Sequence, residues 1–174
     1  MLNITNDGFI VIEIDEDMVA RARAKDEEMG VLNNSIRQGA GNIVGFLGEE
    51  VLLKAWTGST SQNSYNHDIE FEGVTFEVKT KDRTVPPRLS YEASIAKFND
   101  RQTADYYVFV SLYRAPTGEY VRGYVLGVIS KRDYRAMCKD WKVGDIDPSN
   151  GWKVKAACHN LGHEHLNRFE GWAA

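Results

Sequence analysis

The most constraining stretch of the chain is a hairpin signal between residues 67 and 81. HDIEFE is followed by Gly73 and by VTFEVKTK, and apolar residues alternate through the second arm, as in a strand with one buried face. A two- or four-residue loop centred between Glu72 and Gly73 pairs Ile69 with Phe76 and Asp68 with Glu77. Directly opposed side chains lie about 4.5 to 5.5 Å apart at Cβ, and like charges there repel. A sequence that needed only to fold gains nothing from this pair of acids, whereas a divalent cation between them removes the penalty. The same alternation places Glu77, Lys79 and Lys81 on one face, with Phe76 and Val78 pointing to the other and into the core. Two acids and a lysine converge on one patch.

The rest of the chain supplies a scaffold for that hairpin. FIVIEI (9–14) reads as a short strand, and Asp15 or Asp17 can cap a helix through MVARARAKDEEM. A second helical pattern spans about Ser35 to Trp56, with Ile43, Phe46, Leu47, Leu53 and Trp56 at helical spacing. Gly39, Gly41, Gly45 and Gly48 weaken its first half, so the helix can begin as late as Asn42. YEASIAKF reads as a strand or a short helix, and ADYYVFVSLY and YVRGYVLGVIS read as two strands joined around Pro116 and Gly118. Ser130 with Asp133 three residues on resembles a capping box for KRDYRAMC. The expected architecture is α/β or α+β, with a mixed central sheet flanked by helices in a single domain over 1–174. Within it we distinguish an N-terminal helical extension to about 41, a core over about 42–140, and a C-terminal strand and coil over 141–174.

Composition narrows the setting. The 174 residues are 43% apolar and 26% charged, enough for a core without cross-links. No run approaches the roughly 18 consecutive apolar residues of a membrane span, and the first residues lack the basic start of a secretory signal. Two cysteines, Cys138 and Cys158, exclude a disulfide framework. The expectation is a cytoplasmic protein with no membrane partner. The net charge of −4 is unevenly placed. Residues 65–78 hold Asp68, Glu70, Glu72 and Glu77 and no Lys or Arg, while residues 79–101 carry six basic residues against three acidic ones. An acidic knot beside a basic stripe suits a metal-dependent enzyme acting on a polyanion.

Few oxygen ligands, with room for water and phosphate, are what magnesium prefers, and manganese is the alternative. A metal there would favour phosphodiester hydrolysis, with Lys79 orienting the attacking water or neutralising developing charge. Asp68, eight intervening residues and Glu77-Val78-Lys79 resemble the core motif of the PD-(D/E)XK nuclease superfamily, with His67 where the motif's name has Pro. The preceding helix, with Gly-Phe-Leu-Gly-Glu49, is similar to that superfamily's N-terminal helix and its acid. The resemblance covers roughly 42–140 and is nearest to the small nucleases of phages and prokaryotes. It implies a restriction-endonuclease-like fold, with Asp68, Glu77 and the Val78 carbonyl as metal ligands and Lys79 as the catalytic lysine. Glu49 would hold the metal directly or through water. Glu49 and Glu50 lie about 100° apart around a helix, so only one can face the hairpin. We take Glu49 for its Gly-Glu context, with Glu50 in reserve.

The expected partner is DNA, its backbone followed by Lys81, Arg83, Arg88, Lys97 and Arg101. Ser35, Arg37 and Asn42 are lesser phosphate candidates, and Tyr91, Tyr106 and Tyr107 lesser stacking candidates. The expected activity is endonucleolytic. A junction-resolving or other structure-selective enzyme acting as a homodimer is one alternative, and a DNA-binding module that has lost cleavage is another. Cys158, His159, His163 and His165, with Cys138 upstream, form a rival cluster of zinc-type ligands whose spacing fits no standard finger.

Overall fold

The computed structural model describes residues 2–29, 42–56, 59–61 and 67–169. In chain order the elements are β1 (Asn3–Ile4), β2 (Ile10–Glu13), α1 (Glu16–Met29), α2 (Asn42–Ala55), β3 (Thr60–Ser61), β4 (Ile69–Phe71) and β5 (Val74–Arg83). They continue with β6 (Glu92–Ala96), a 3-10 turn at Lys97–Arg101, β7 (Tyr106–Arg114), β8 (Tyr120–Ser130), α3 (Lys131–Met137), β9 (Lys139–Trp141) and β10 (Cys158–Gly162). A final 3-10 turn follows at His163–His165.

The central sheet has seven strands in the order β1-β2-β8-β7-β5-β4-β3. It is mixed: β5 and β7 run parallel, and its other pairs are antiparallel. The fold is α+β. In the hairpin, Ile69 pairs with Phe76 and Phe71 with Val74, the register that alternation and turn chemistry imply. Glu72 and Gly73 form the two-residue turn with φ of 50° and 78°, the left-handed pair that matches the twist of the strands it joins.

Helix α2 is described over Asn42–Ala55; Ser35, Arg37 and the stretch that would decide where the helix starts lie outside the described residues. Its Val44, Leu47, Val51, Leu52 and Trp56 pack on one face of the central sheet against Phe76, Val78, Val108 and Val110. Asp15 caps α1, its Oδ1 accepting from Met18 N at 2.9 Å. Ser130 caps α3 by accepting from Asp133 N at 3.0 Å.

One element departs from expectation. The strand within YEASIAKF does not join the central sheet: β6 pairs with β10, and β10 with β9, as a separate antiparallel sheet. That small sheet and α3 cover the face opposite α2, through Ala93, Ile95, Leu161 and Tyr134 against Tyr107, Phe109 and Leu126. The central sheet therefore has helices on one face and chiefly a second sheet on the other. The Tyr134 hydroxyl ties α3 to the small sheet, 2.7 Å from the His159 carbonyl oxygen and 3.0 Å from that of Ala93.

Candidate active site

The site lies where β4 stops and β5 continues. The ladder runs from Val74 to Phe76, and the Asp68 amide donates to the Phe76 carbonyl at 3.0 Å. Asp68 then turns its side chain across the gap, and its Oδ2 accepts from Val78 N at 2.8 Å. A side chain thus closes the ladder that backbone closes elsewhere. The N–H and C=O of one strand residue project to the same side, so the Val78 carbonyl also faces the open edge beside Asp68, away from β7.

Alternation aims Glu77 and Lys79 to the face opposite Phe76 and Val78. Glu77 is only 4% exposed. Lys79 Nζ donates to Glu77 Oε1 at 2.7 Å and to Gln102 Oε1 at 2.8 Å. Gln102 follows the 3-10 turn that leads into β7. Nothing in its local sequence marks it, and its role becomes visible only when that turn is laid beside β5.

Helix α2 brings the third carboxylate. A Cβ on Gly48 would sit 1.9 Å from Thr80 Oγ1 and 2.8 Å from Thr80 Cβ, so the absence of a side chain lets the helix descend onto β5 at this point. Glu49 follows directly and is 7% exposed. Burial, opposed by Lys25 and reinforced by the negative charges of Glu77 and Glu50, raises its pKa from 4.5 to about 7. The Asp68 carboxyl is held well above the ordinary range, first by burial and then by Glu77 and Glu49. The three acids therefore share one electrostatic environment. Glu50 turns elsewhere: its Oε2 accepts from Arg21 Nε at 2.7 Å, and its Oε1 lies 3.4 Å from Lys25 Nζ.

The donor set fits a divalent cation. Glu77 Oε2 is buried with no hydrogen-bond partner, and Glu49 Oε2, likewise without a hydrogen bond, is ion-paired with Lys25 Nζ at 3.6 Å. Unpaired buried carboxylate oxygens are costly unless a cation or proton meets them. Oxygen-only ligands favour magnesium or manganese over softer metals.

The basic stripe is less uniform than its sequence. Lys81 is exposed on the same face as Lys79. Arg83 is partly buried, with its guanidinium 4.7 Å over the Tyr91 ring, and burial lowers its pKa. The Arg88 side chain is exposed on the loop after β5 while its carbonyl accepts from His163 Nδ1 at 2.9 Å. Lys97 turns to Asp140 at 3.5 Å. The side chain of Arg101 lies outside what is described. Of the aromatic candidates, Tyr107 is core at 1% exposure, and Tyr106 stacks on Phe76 with centroids 5.6 Å apart.

The cysteine and histidine cluster separates in space. Cys158 packs with Trp141 and Val154. His163 is buried between Phe9 and Tyr91, and burial depresses its pKa to about 4. His165 is exposed beside Glu164. Cys138 and His159 do approach each other, together with Asp140, with ligand atoms within 4.8 Å. His159 there is held by protein groups: Nδ1 by Asp140 Oδ1 at 2.5 Å, and Nε2 by Arg135 Nη1 at 2.5 Å. Arg135 also binds Asp100 at 3.0 Å.

Among the described residues no helix is long and apolar enough to cross a membrane. No family model matches this chain, and no curated protein matches its sequence.

Proposed function

We propose that this chain is a magnesium- or manganese-dependent nuclease that hydrolyses DNA phosphodiester bonds, with endonucleolytic cleavage the expected mode. The observation that carries the reading is the grouping of three mutually repelling carboxylates, Glu49, Asp68 and Glu77, with Lys79 paired to Glu77 and with Glu77 Oε2 buried without a hydrogen-bond partner. The likeness of Asp68, Glu77-Val78-Lys79 and the helix acid Glu49 to the PD-(D/E)XK pattern supports the same reading.

Asp68, Glu77 and the Val78 carbonyl would hold the cation, with Glu49 beside them. Bound there, the metal would supply Lewis-acid polarisation of a phosphoryl oxygen and lower the pKa of a nearby water. The chain's own contribution is positional. Lys79 is tethered from two sides, by Glu77 and by Gln102, which fixes its ammonium where it can orient an attacking water or meet charge developing on the phosphate. Lys81 on the same face and Arg88 on the following loop supply cations for the flanking backbone.

The test is cleavage of supercoiled plasmid and of end-labelled linear DNA with magnesium, manganese or EDTA, comparing wild type with Lys79→Ala and Asp68→Asn. Metal-dependent nicking that disappears in both variants is the expected result. A folded protein that cuts neither substrate under any cation would overturn the reading and leave a binding module. Loss of label from linear ends alone would replace endonuclease by exonuclease.

A further inference from the structure

Beyond Lys79 the strand β5 runs along a groove of about 420 Å3, lined by Lys81 and Arg83 of β5, Glu92 of β6, Asn160 of β10 and Trp152, with Arg83 Nη2 3.5 Å from the Glu92 carbonyl oxygen. The site described above uses none of the last three. Trp152 is 42% exposed, yet it is held firmly. Its carbonyl accepts from Asp147 N at 2.8 Å, its amide donates to Asn150 Oδ1 at 2.8 Å, and its ring meets Trp141 edge-on with centroids 6.2 Å apart. A large indole fixed half in water retains a flat face with nothing stacked on it among the described residues. In the same lining, the Arg83 guanidinium lies over the Tyr91 ring as a second flat, cationic surface.

The polar lining has a matching character. Asn160 is 4% exposed; its Nδ2 donates to Glu92 Oε2 at 2.8 Å, and its Oδ1 has no hydrogen-bond partner. The acid at the rim, Asp147, is already engaged, accepting from Ser149 N at 2.8 Å and Ser149 Oγ at 2.7 Å. An aromatic platform, the Lys81 and Arg83 cations and a buried unmet acceptor in one groove are together suited to a nucleotide: a base on the indole and its phosphate toward Lys81. Lys81 lies two residues beyond Lys79 on the same strand face, about 7 Å along β5, which is one nucleotide step from a phosphate at Lys79.

We propose that this groove binds one unpaired nucleotide of DNA next to the phosphate that is cut, which rests on the nuclease reading of Lys79 and its acids. A base lying on Trp152 has left its neighbours in a duplex, so the preferred substrate is single-stranded, frayed or branched at that position and not uniform duplex. Stacking sets the affinity, and Lys81 adds a salt-sensitive phosphate contact.

The test is fluorescence anisotropy of labelled single-stranded and fully duplex oligonucleotides of one length, with calcium in place of magnesium, set beside cleavage of both in magnesium. Wild type is expected to bind the single strand more tightly. Trp152→Leu, which keeps apolar bulk but removes the ring, is expected to weaken that binding on the order of tenfold and to leave duplex binding unchanged; Trp152→Phe should restore most of it. Near-UV circular dichroism and the unfolding midpoint establish that the variants are folded. Equal single-strand affinity for Trp152→Leu and wild type, or a preference for uniform duplex, would overturn the groove while metal-dependent cleavage kept the nuclease reading intact. Trp152-dependent binding with no cleavage under any cation would do the reverse. Absence of binding to either oligonucleotide would sink both.

Discussion

Two clusters of charged side chains lie on different elements of this molecule, and they are built on opposite principles. Around His159, donors and acceptors alternate: Asp140, His159, Arg135 and Asp100 form a chain in which each carboxylate meets a donor and each donor an acceptor. Around Lys79, three carboxylates crowd together, and burial with mutual repulsion drives the Glu49 and Asp68 pKa values upward. The first cluster is complete without any further component. The second keeps two carboxyl groups raised by burial and repulsion, which on the proposed nuclease reading is preparation for a cation. A group of metal-type ligands therefore says less than whether its electrostatics are already balanced; by that measure Cys138, Asp140 and His159 belong to the architecture.

The sharpest way to break this contrast is to neutralise one acid in each cluster. Asp68→Asn is expected to reduce metal-dependent DNA cleavage by about a hundredfold or more, while raising the unfolding midpoint in EDTA by relieving repulsion. Asparagine keeps an oxygen for Val78 N, so the ladder end survives. Asp140→Asn should do the opposite, leaving cleavage near wild type and lowering the midpoint, because it removes the acceptor for His159 Nδ1. Cleavage assays and thermal melts on both variants decide it; a drop in midpoint for both would mean that the acids near Lys79 are balanced after all.

The next effect is on pH dependence. Glu49 has a native pKa of about 7 against an ordinary 4.5, so between those values the native state keeps a proton that the unfolded chain has released. Stability of the metal-free protein therefore falls as pH rises from about 4.5 to about 7, and Asp68 acts in the same direction. The shift corresponds to at most roughly 3 kcal/mol, at about 1.4 kcal/mol per pKa unit. Asp140 works with the opposite sign: its pKa is lowered, first by its hydrogen bond to His159, and the stability it contributes is lost as pH falls through the acid range. Urea titrations in EDTA at pH 5 and pH 7 should show wild type weaker at the higher value and Glu49→Gln with a flatter profile. Magnesium should flatten the wild-type profile as well, since a cation favours the ionised carboxylates.

Gly48→Ala probes how the helix acid is delivered. The new methyl would meet Thr80 side-chain atoms at 1.9 to 2.8 Å, so α2 must lift from β5 at a cost of about 1–3 kcal/mol, and Glu49 would be displaced from the hairpin acids. Reduced denaturant stability together with reduced cleavage is the expected outcome. Reduced stability with full cleavage would show that Glu49 is dispensable.

Much of this was readable before any coordinates. The register of the hairpin followed from a two-residue turn and from apolar alternation, both local properties, and so did the caps at Asp15 and Ser130. What could not be read was partnership. Glu92–Ala96 alternates like any half-buried strand, and nothing within it says that its neighbour is β10, which begins 62 residues later. Gln102, Trp152 and Asn160 acquire meaning only after distant segments are brought together. Between Glu49 and Glu50, Arg21 of α1 binds Glu50 alone while Lys25 lies near both, at 3.6 and 3.4 Å, a tertiary arrangement that the sequence context of the two acids does not contain.

The same distinction divides the basic stripe, and here the expected effects are smallest. Lys97 reads in sequence as one more backbone contact, yet in the fold it lies 3.5 Å from Asp140 with both side chains well exposed, as an outer member of the balanced cluster. Exposed pairs of this kind contribute about 0–1 kcal/mol, so Lys97→Ala should change the unfolding midpoint little. Its effect on DNA is more informative. A lysine on phosphate contributes about one unit to the slope of log affinity against log salt. Lys81→Ala is expected to reduce that slope by about one, and Lys97→Ala by clearly less, because Asp140 already offsets part of the Lys97 charge. Equal slopes for the two variants would return Lys97 to the DNA surface and extend that surface from β5 across the 3-10 turn to the edge of the balanced cluster.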